Sequence, residues 1–192
     1  MASFLGLVIV SPVILVVAML IKIKTSGPVF FCQVRIGRYG RPFILYKFRT
    51  MIVNHGGDSI SLKGERRITP LGAILRKHKI DELPELWNVL RGDMSFVGPR
   101  PDVSEFTGRL EGEELRILQI RPGITSPASL KYADEEELVA AAPDPKKHYE
   151  EVIWPDKVRI NVEYCDNRSF FGDILIILET IFRRKGLKQE SE

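Results

Sequence analysis

An uncharged apolar segment at the N-terminus constrains this chain more than any other feature. No charged side chain occurs from Met1 to Ile21, in the run MASFLGLVIVSPVILVVAMLI. As a helix with a rise of about 1.5 Å per residue, this segment reaches roughly 31 Å, enough to cross the hydrocarbon core of a bilayer. It lacks a basic N-terminal region and a small-residue cleavage site, which argues against a signal peptide. The segment therefore predicts membrane attachment.

Pro12 interrupts this apolar run near its middle. Within a helix a proline removes one backbone hydrogen bond and forces a kink, and the hydroxyl of Ser11 can replace part of the lost bonding. A kinked helix of this kind either spans the bilayer or turns back as a re-entrant segment. A buried core helix is a third alternative. Lys22 and Lys24 follow directly, so the positive-inside rule places the rest of the chain in the cytoplasm.

A second apolar stripe lies near the C-terminus. Residues spaced as on one face of a helix form it: Phe170, Phe171, Ile174, Ile177, Leu178, Ile181 and Phe182. Such a helix either lies in the membrane interface or packs on a domain core, and the sequence favours neither. We divide the chain into a membrane-inserted helix (1–24), a cytoplasmic catalytic domain (25–185) and a polar C-terminal tail (186–192).

The region between the two apolar ends predicts an α+β domain dominated by helices. Val29–Ile36 and Pro42–Met51 are typical of two strands joined by a turn, which gives one small β-hairpin. Two short amphipathic helices follow. Asp81 is placed to cap the second of them, and Gly92 to end it as a C′ residue.

Charge and composition exclude several classes of function. The chain has 28 basic and 25 acidic residues, a net charge of +3 that gives no reason to expect nucleic acid. Basic residues dominate from Lys22 to Arg100, which suits phosphate groups or lipid headgroups, or simply a solvated surface. Two cysteines and three scattered histidines predict neither a disulfide framework nor a zinc site, and Cys32, in a strand, is predicted to be buried.

Asp81 and Glu82 are the strongest candidates for chemistry. Adjacent carboxylates at a helix start can hold a divalent cation or supply a nucleophile, and free amides there can meet a phosphate. The same pattern is also common as a structural cap. Arg100, fixed between two prolines, and Arg121, before Pro-Gly, suggest phosphate recognition, although each also fits a rigid turn.

Four stretches closely resemble the monotopic phosphoglycosyl transferases, also called the bacterial sugar transferase family. They occur in the family's order across nearly the whole chain: Ser11-Pro12, Tyr46–Met51, Ile80–Pro101 and Arg121–Thr125. After Thr125 the chain departs from the pattern of many members, because it continues Ser126-Pro127-Ala128-Ser129-Leu130.

The resemblance implies a two-step transfer reaction. Asp81 matches the family's nucleophile, which attacks the phosphate nearest the sugar in a UDP-sugar and releases UMP. Polyprenyl (undecaprenyl) phosphate then takes the sugar-1-phosphate, the first membrane step of bacterial glycan assembly. Glu82 matches the second carboxylate of the dyad, and both are implied ligands of Mg²⁺.

The resemblance also implies the surroundings of this dyad. Arg100 matches a phosphate-binding arginine, and Lys47, Arg49 and Arg76 match basic positions near the nucleotide or carrier phosphates. The Ser-Pro helix is implied to be re-entrant, with short amphipathic helices at the interface and the enzyme on the cytoplasmic face of the bacterial inner membrane.

Two other classes of function compete with the enzyme. One is an inactive, membrane-anchored scaffold that recruits other glycan-assembly enzymes, against which the intact Asp81-Glu82 pair argues. The other is a basic module that binds anionic lipid without chemistry and would lose that binding at high salt.

Overall fold

A computed structural model describes residues 2–52 and 67–186 of the chain, so the predicted tail at 186–192 lies outside it except for Gly186. The protein is a mostly helical α+β molecule, as predicted. Its helices are α1 (Ala2–Lys24), α2 (Pro70–Lys77), α3 (Glu85–Arg91), α4 (Ser104–Thr107), α5 (Pro127–Lys131), α6 (Glu135–Ala141), α7 (Pro145–His148), α8 (Trp154–Asn167) and α9 (Phe170–Gly186). Short 3₁₀ segments cover Arg38–Gly40, Ile80–Glu82 and Gly112–Gln119, and a π-helical turn at Tyr149–Ile153 joins α7 to α8.

The predicted hairpin is confirmed. Strand β1 (Phe30–Ile36) pairs antiparallel with β2 (Pro42–Phe48), with Phe30 opposite Phe48. Cys32 of β1 is exposed, as are Phe30 and Phe31 before it, so its predicted burial is wrong: this end of the hairpin lies at the surface.

The sequence did not predict a second sheet. Strand β3 (Ser95–Val97) pairs in parallel with β4 (Gly123–Thr125). Three-residue strands are too short to show a period of two, which is why the pattern of the sequence misses them.

Helix α1 continues through Pro12. Without an amide hydrogen, Pro12 cannot bond to the carbonyl of Val8, four residues earlier. The Ser11 hydroxyl donates to that same oxygen at 2.8 Å. The predicted compensation is therefore present, whereas the kink and the re-entrant path stay predictions.

One face of α1 belongs to the core of the protein. Val17 and Ile21 are buried in an apolar cluster with Phe48 of β2 and Leu75 of α2. The opposite face is apolar and exposed: Phe4, Leu5, Val8, Ile9, Val13, Leu15, Val16, Met19, Leu20 and Ile23. Only 11% of its most apolar stretch is buried, so the core-helix alternative is wrong, and length and composition suit membrane contact.

Helix α9 turns polar side chains toward the protein and much of its apolar surface outward. Its polar side faces the protein: Tyr164 of α8 donates to Asp173, and the hydroxyls of Thr125 and Thr180 lie 2.7 Å apart. Most of its apolar residues are exposed, among them Phe171 at 76% and Leu175 at 61%, whereas Ile176 and Ile177 are half-buried. Because α9 also contacts β3, β4 and α5, both alternatives for this stripe, the membrane interface and the domain core, stay open.

Candidate active site

The dyad lies in a tight turn between α2 and α3. The backbone of Lys79, two residues after the end of α2, lies in the left-handed region at φ 53° and ψ 24°, which a residue other than glycine adopts at a cost of roughly 1 kcal/mol. A 3₁₀ turn then carries Asp81 and Glu82. The predicted capping role of Asp81 is wrong, because α3 begins only at Glu85 and its capping residue is Pro84. Gly92 ends α3 at φ 84°, as predicted.

Asp81 is a buried carboxylate with spare bonding capacity. Its Oδ1 atom is buried and has no hydrogen-bond partner within the described part of the chain. Burial raises the pKa of Asp81, and the neighbouring charge of Glu82 raises it further, against Lys47, Lys79 and Arg100. An unpartnered buried oxygen is costly for folding alone, and therefore points to a partner in function.

Glu82 is held by two cations at one oxygen. Its Oε1 atom accepts from Lys47 Nζ at 3.1 Å and from a guanidinium nitrogen of Arg100. Burial by itself would raise the pKa of Glu82, but Arg100 and Lys47 outweigh it and hold that pKa well below its usual range. Glu82 is therefore ionised at neutral pH, which suits a metal ligand.

Lys47 reaches the dyad because α3 fixes the strand that carries it. The amide of Asn88, fully buried on α3, donates to the carbonyl of Ile44 at 2.7 Å. The same amide accepts from the backbone N–H of Tyr46 at 3.1 Å. Asn88 thus occupies the free edge of β2 as a neighbouring strand would, and Lys47 follows directly.

Arg100 stands on a segment held from both sides. Gly98 donates to the carbonyl of Thr125, and Gly123 donates to that of Pro99, each at 2.9 Å. On the other side, Arg35 of β1 donates to the carbonyl of Pro101 at 3.3 Å. The rigid setting that its two flanking prolines predict for Arg100 is therefore strengthened by tertiary contacts.

The sequence assigned no role to Glu85, which also belongs to this site. It is almost completely buried in the first turn of α3, and its Oε1 atom lies 3.1 Å from Lys47 Nζ. Burial raises the pKa of Glu85 to about 7, with Lys47 opposing the shift. The spacing of Glu82 and Glu85, three residues apart at a helix start, was the available signal.

Three predicted phosphate-binding residues make no contact with the dyad in the part of the chain that the structure describes. Arg49 is buried and donates to the carbonyls of Thr25 and Ser26, at the C-terminal end of α1. Arg76 forms an ion pair with Glu136 of α6. Arg121 is exposed, and its guanidinium lies beside Gly92 at the end of α3. Of the predicted basic residues, Lys47 and Arg100 are the two that contact the dyad in the described structure.

The dyad has the donor set that magnesium uses. No cluster of three or more His, Cys, Asp or Glu side chains suited to a metal occurs within residues 2–52 and 67–186. Mg²⁺, however, is commonly bound by one or two carboxylates, with water and substrate phosphate completing the shell. Asp81 and Glu82, with the unpartnered oxygen on Asp81, fit that arrangement.

A family model decides what kind of protein carries this site. The model described as "Bacterial sugar transferase" matches residues 1–185, which include the apolar helix, the dyad and Arg100. The chain belongs to the bacterial sugar transferase family. The predicted resemblance is confirmed over nearly the whole chain.

Relatives of this bacterial sugar transferase are named for the transfer of sugars or sugar phosphates. It is 38% identical to the sugar transferase EpsL of Bacillus subtilis, over 94% of this chain and 80% of that protein. It is 35% identical to the UDP-N-acetylgalactosamine-undecaprenyl-phosphate N-acetylgalactosaminephosphotransferase of Aeromonas hydrophila, over 94% of this chain and 41% of that protein. It is 34% identical to the UDP-glucose:undecaprenyl-phosphate glucose-1-phosphate transferase of Caulobacter vibrioides, over 89% of this chain and 62% of that protein. The chain thus spans less than two thirds of the last two relatives.

Proposed function

We propose that this protein transfers sugar-1-phosphate from a UDP-sugar to polyprenyl (undecaprenyl) phosphate through a covalent intermediate on Asp81. The observation that carries the proposal is the unpartnered, buried Oδ1 of Asp81 beside a Glu82 already held by Lys47 and Arg100. The names of relatives that use UDP-sugars and undecaprenyl phosphate support it.

In the first step, a carboxylate oxygen of Asp81 attacks the phosphorus nearest the sugar. The bond between that phosphorus and the oxygen bridging the two phosphates breaks, and UMP leaves with the electron pair. In the second step, a phosphate oxygen of the polyprenyl phosphate attacks the same phosphorus. The acyl phosphate bond breaks, polyprenyl diphosphate-sugar forms, and the Asp81 carboxylate is restored.

The surrounding residues manage charge during these steps. Lys47 and Arg100 keep Glu82 ionised, and their positive charges lower the repulsion between the Asp81 carboxylate and an incoming diphosphate. Asp81 and Glu82 would hold Mg²⁺, which when bound neutralises phosphate charge and stabilises the leaving group. Burial raises the pKa of Asp81. The positive charges around it oppose that shift and so favour the ionised form that attack requires.

The membrane arrangement matches one soluble and one lipid substrate. The outward faces of α1 and α9 are apolar, and Lys22 and Lys24 lie in the last turn of α1. We place the domain on the cytoplasmic face of the bacterial inner membrane, with α9 in the interface and α1 inserted as a re-entrant helix. There the site meets a UDP-sugar from solution and the carrier phosphate at headgroup level.

The test is UMP release by detergent-solubilised protein with Mg²⁺, polyprenyl phosphate and a panel of UDP-sugars. We expect release with at least one sugar and at least a 10³-fold loss, on the order of a removed nucleophile, in Asp81→Asn. Without acceptor, intact mass should show a sugar-phosphate adduct on the native protein and none on Asp81→Asn. Absence of UMP release with every sugar would favour the scaffold, and salt-sensitive lipid binding without nucleotide dependence would favour the basic module.

A further inference from the structure

Lys47 makes two equal contacts in the candidate site, and the proposed reaction uses only one of the partners. Its Nζ atom lies 3.1 Å from Glu82 Oε1 and 3.1 Å from Glu85 Oε1. Glu82 already accepts from Arg100, and under the proposed function it also binds Mg²⁺. Glu85 has no role in that reaction, although its side chain is only 3% exposed.

A buried carboxylate without a function in the reaction needs a physical reason. Burial of a charged group costs several kcal/mol unless a partner of opposite charge compensates for it. Here the compensating partner is the ammonium of Lys47, whose flexible four-carbon stem has no fixed orientation of its own. The backbone of β2 is fixed by Asn88, but this fixes only the start of the side chain.

We propose that Glu85 is a positioning residue that holds the Lys47 ammonium at the diphosphate site. Glu82 must share its oxygens among Lys47, Arg100 and the Mg²⁺ that accompanies the substrate, so its contact with Lys47 weakens when substrate binds. Glu85 keeps its contact, because Lys47 is the cation that it touches and Glu85 is not a ligand of the proposed Mg²⁺. This role rests on the proposed function, and it adds Glu85 to the residues that the proposed reaction uses.

The test is a double-mutant cycle on Lys47 and Glu85, read as kcat/KM for UMP release at pH 8, where Glu85 is ionised. The variants are Glu85→Gln, Lys47→Met and the two combined. Glu85→Gln should lower kcat/KM by about 10- to 100-fold in the native background, as loss of a supporting contact does. In the Lys47→Met background it should change kcat/KM by less than about threefold. Equal losses in both backgrounds, or no loss in the native one, would overturn the proposal.

A matched control separates this contact from a general loss of acidic charge. Glu163→Gln makes the same chemical change in an exposed ion pair, 3.7 Å from Arg159. It should leave the kinetics unchanged. If Glu85→Gln melts below the assay temperature, Glu85→Asp enters the cycle instead, since it keeps the charge and withdraws the carboxylate from Lys47.

A binding measurement distinguishes failure of this proposal from failure of the proposed function. The affinity for UDP with Mg²⁺, measured by calorimetry, should fall about tenfold from the native protein to Glu85→Gln, and it should be the same in Lys47→Met and in the double variant. If the native protein releases no UMP but this coupling appears, the proposed reaction is wrong and the positioning role stands. If the native protein releases UMP and neither cycle shows coupling, the positioning role alone is wrong.

Discussion

At the scale of single residues, the site is a cluster of buried acidic side chains with basic side chains beside them. Glu82 and Glu85 both contact Lys47, Glu82 also contacts Arg100, and Asp81 keeps an oxygen without a partner within the described residues. Burial by itself raises the pKa of all three acids. Their pKa values differ because, of the three, it is Glu82 that Arg100 contacts directly. Similar residues thus acquire different protonation states from their positions.

The pKa of Glu85 predicts a pH dependence of stability. In the folded protein this pKa is raised from 4.5 to about 7, by burial first and then by the charge of Glu82, against Lys47 and Arg100. The folded state therefore keeps a proton that the unfolded state has lost, and the free energy of unfolding falls as pH rises from about 5 to about 7.

Glu85→Gln removes this titration. Its melting temperature relative to that of the native protein should therefore rise across the same pH window and stay level above it. Thermal melts in detergent and EDTA, at half-unit pH steps, measure the difference. A difference that is constant from pH 5 to pH 8 would contradict the assigned pKa.

At the scale of elements, the β3–β4 pair explains why glycine follows Arg121-Pro122. A methyl group on Gly123 would lie 2.1 Å from the Gly98 nitrogen and 2.6 Å from the Gly98 oxygen. Both glycines permit the close approach of two backbones, which in turn holds the segment that bears Arg100. The glycine of Arg121-Pro122-Gly123 therefore helps to fix the position of Arg100, whereas phosphate binding by Arg121 stays a prediction.

Gly123→Ala should destabilise the protein by about 3 kcal/mol, since the clash is with backbone that cannot move aside. It should also lower UMP release more than stability alone explains, because Arg100 shifts with β3. Gly6→Ala is the matched control: its methyl group would meet only Leu86 Cδ1, at an ordinary 3.9 Å. Chemical unfolding in detergent compares the two, and equal stability of both variants would contradict the predicted clash.

At the scale of the whole molecule, α1 is both a membrane segment and part of the protein core. Its buried side joins the cluster around Phe48 and Leu75, and Arg49 binds the carbonyls just after its end. Removal of α1 would therefore expose core surface as well as detach the protein from lipid.

Two isoleucines in this helix test that dual role. Ile21 is 1% exposed and Ile23 is 74% exposed. Ile21→Ala should cost about 2–5 kcal/mol of unfolding free energy, because it opens a cavity in the core. Ile23→Ala should stay within about 0.5 kcal/mol in detergent. Unfolding of both variants in one detergent measures this, and equal losses would show that the buried face of α1 adds no core packing.

The sequence predicted the hairpin, the helical character and the dyad because each has a local signal. Two runs rich in aromatic and β-branched residues on either side of the turn at Gly37–Arg41 mark β1 and β2, an unbroken apolar run marks α1, and Asp81-Glu82 stands within a long family motif. The second sheet has no such signal. Its strands are three residues long and lie 25 residues apart in sequence, so only the fold brings them together.

What the sequence by itself determined is therefore the apolar N-terminal helix, the hairpin and the family, all of which depend on neighbouring residues, while the catalytic role of Asp81 and Glu82 stays a prediction. Only the tertiary structure decided which cations meet that pair. Lys47 and Arg100 come from segments far apart in the chain, while Arg49 and Arg76 of similar chemistry bind elsewhere. The physical reason is that a charged side chain acts over a few ångströms of space, and distance along the chain does not fix distance in space.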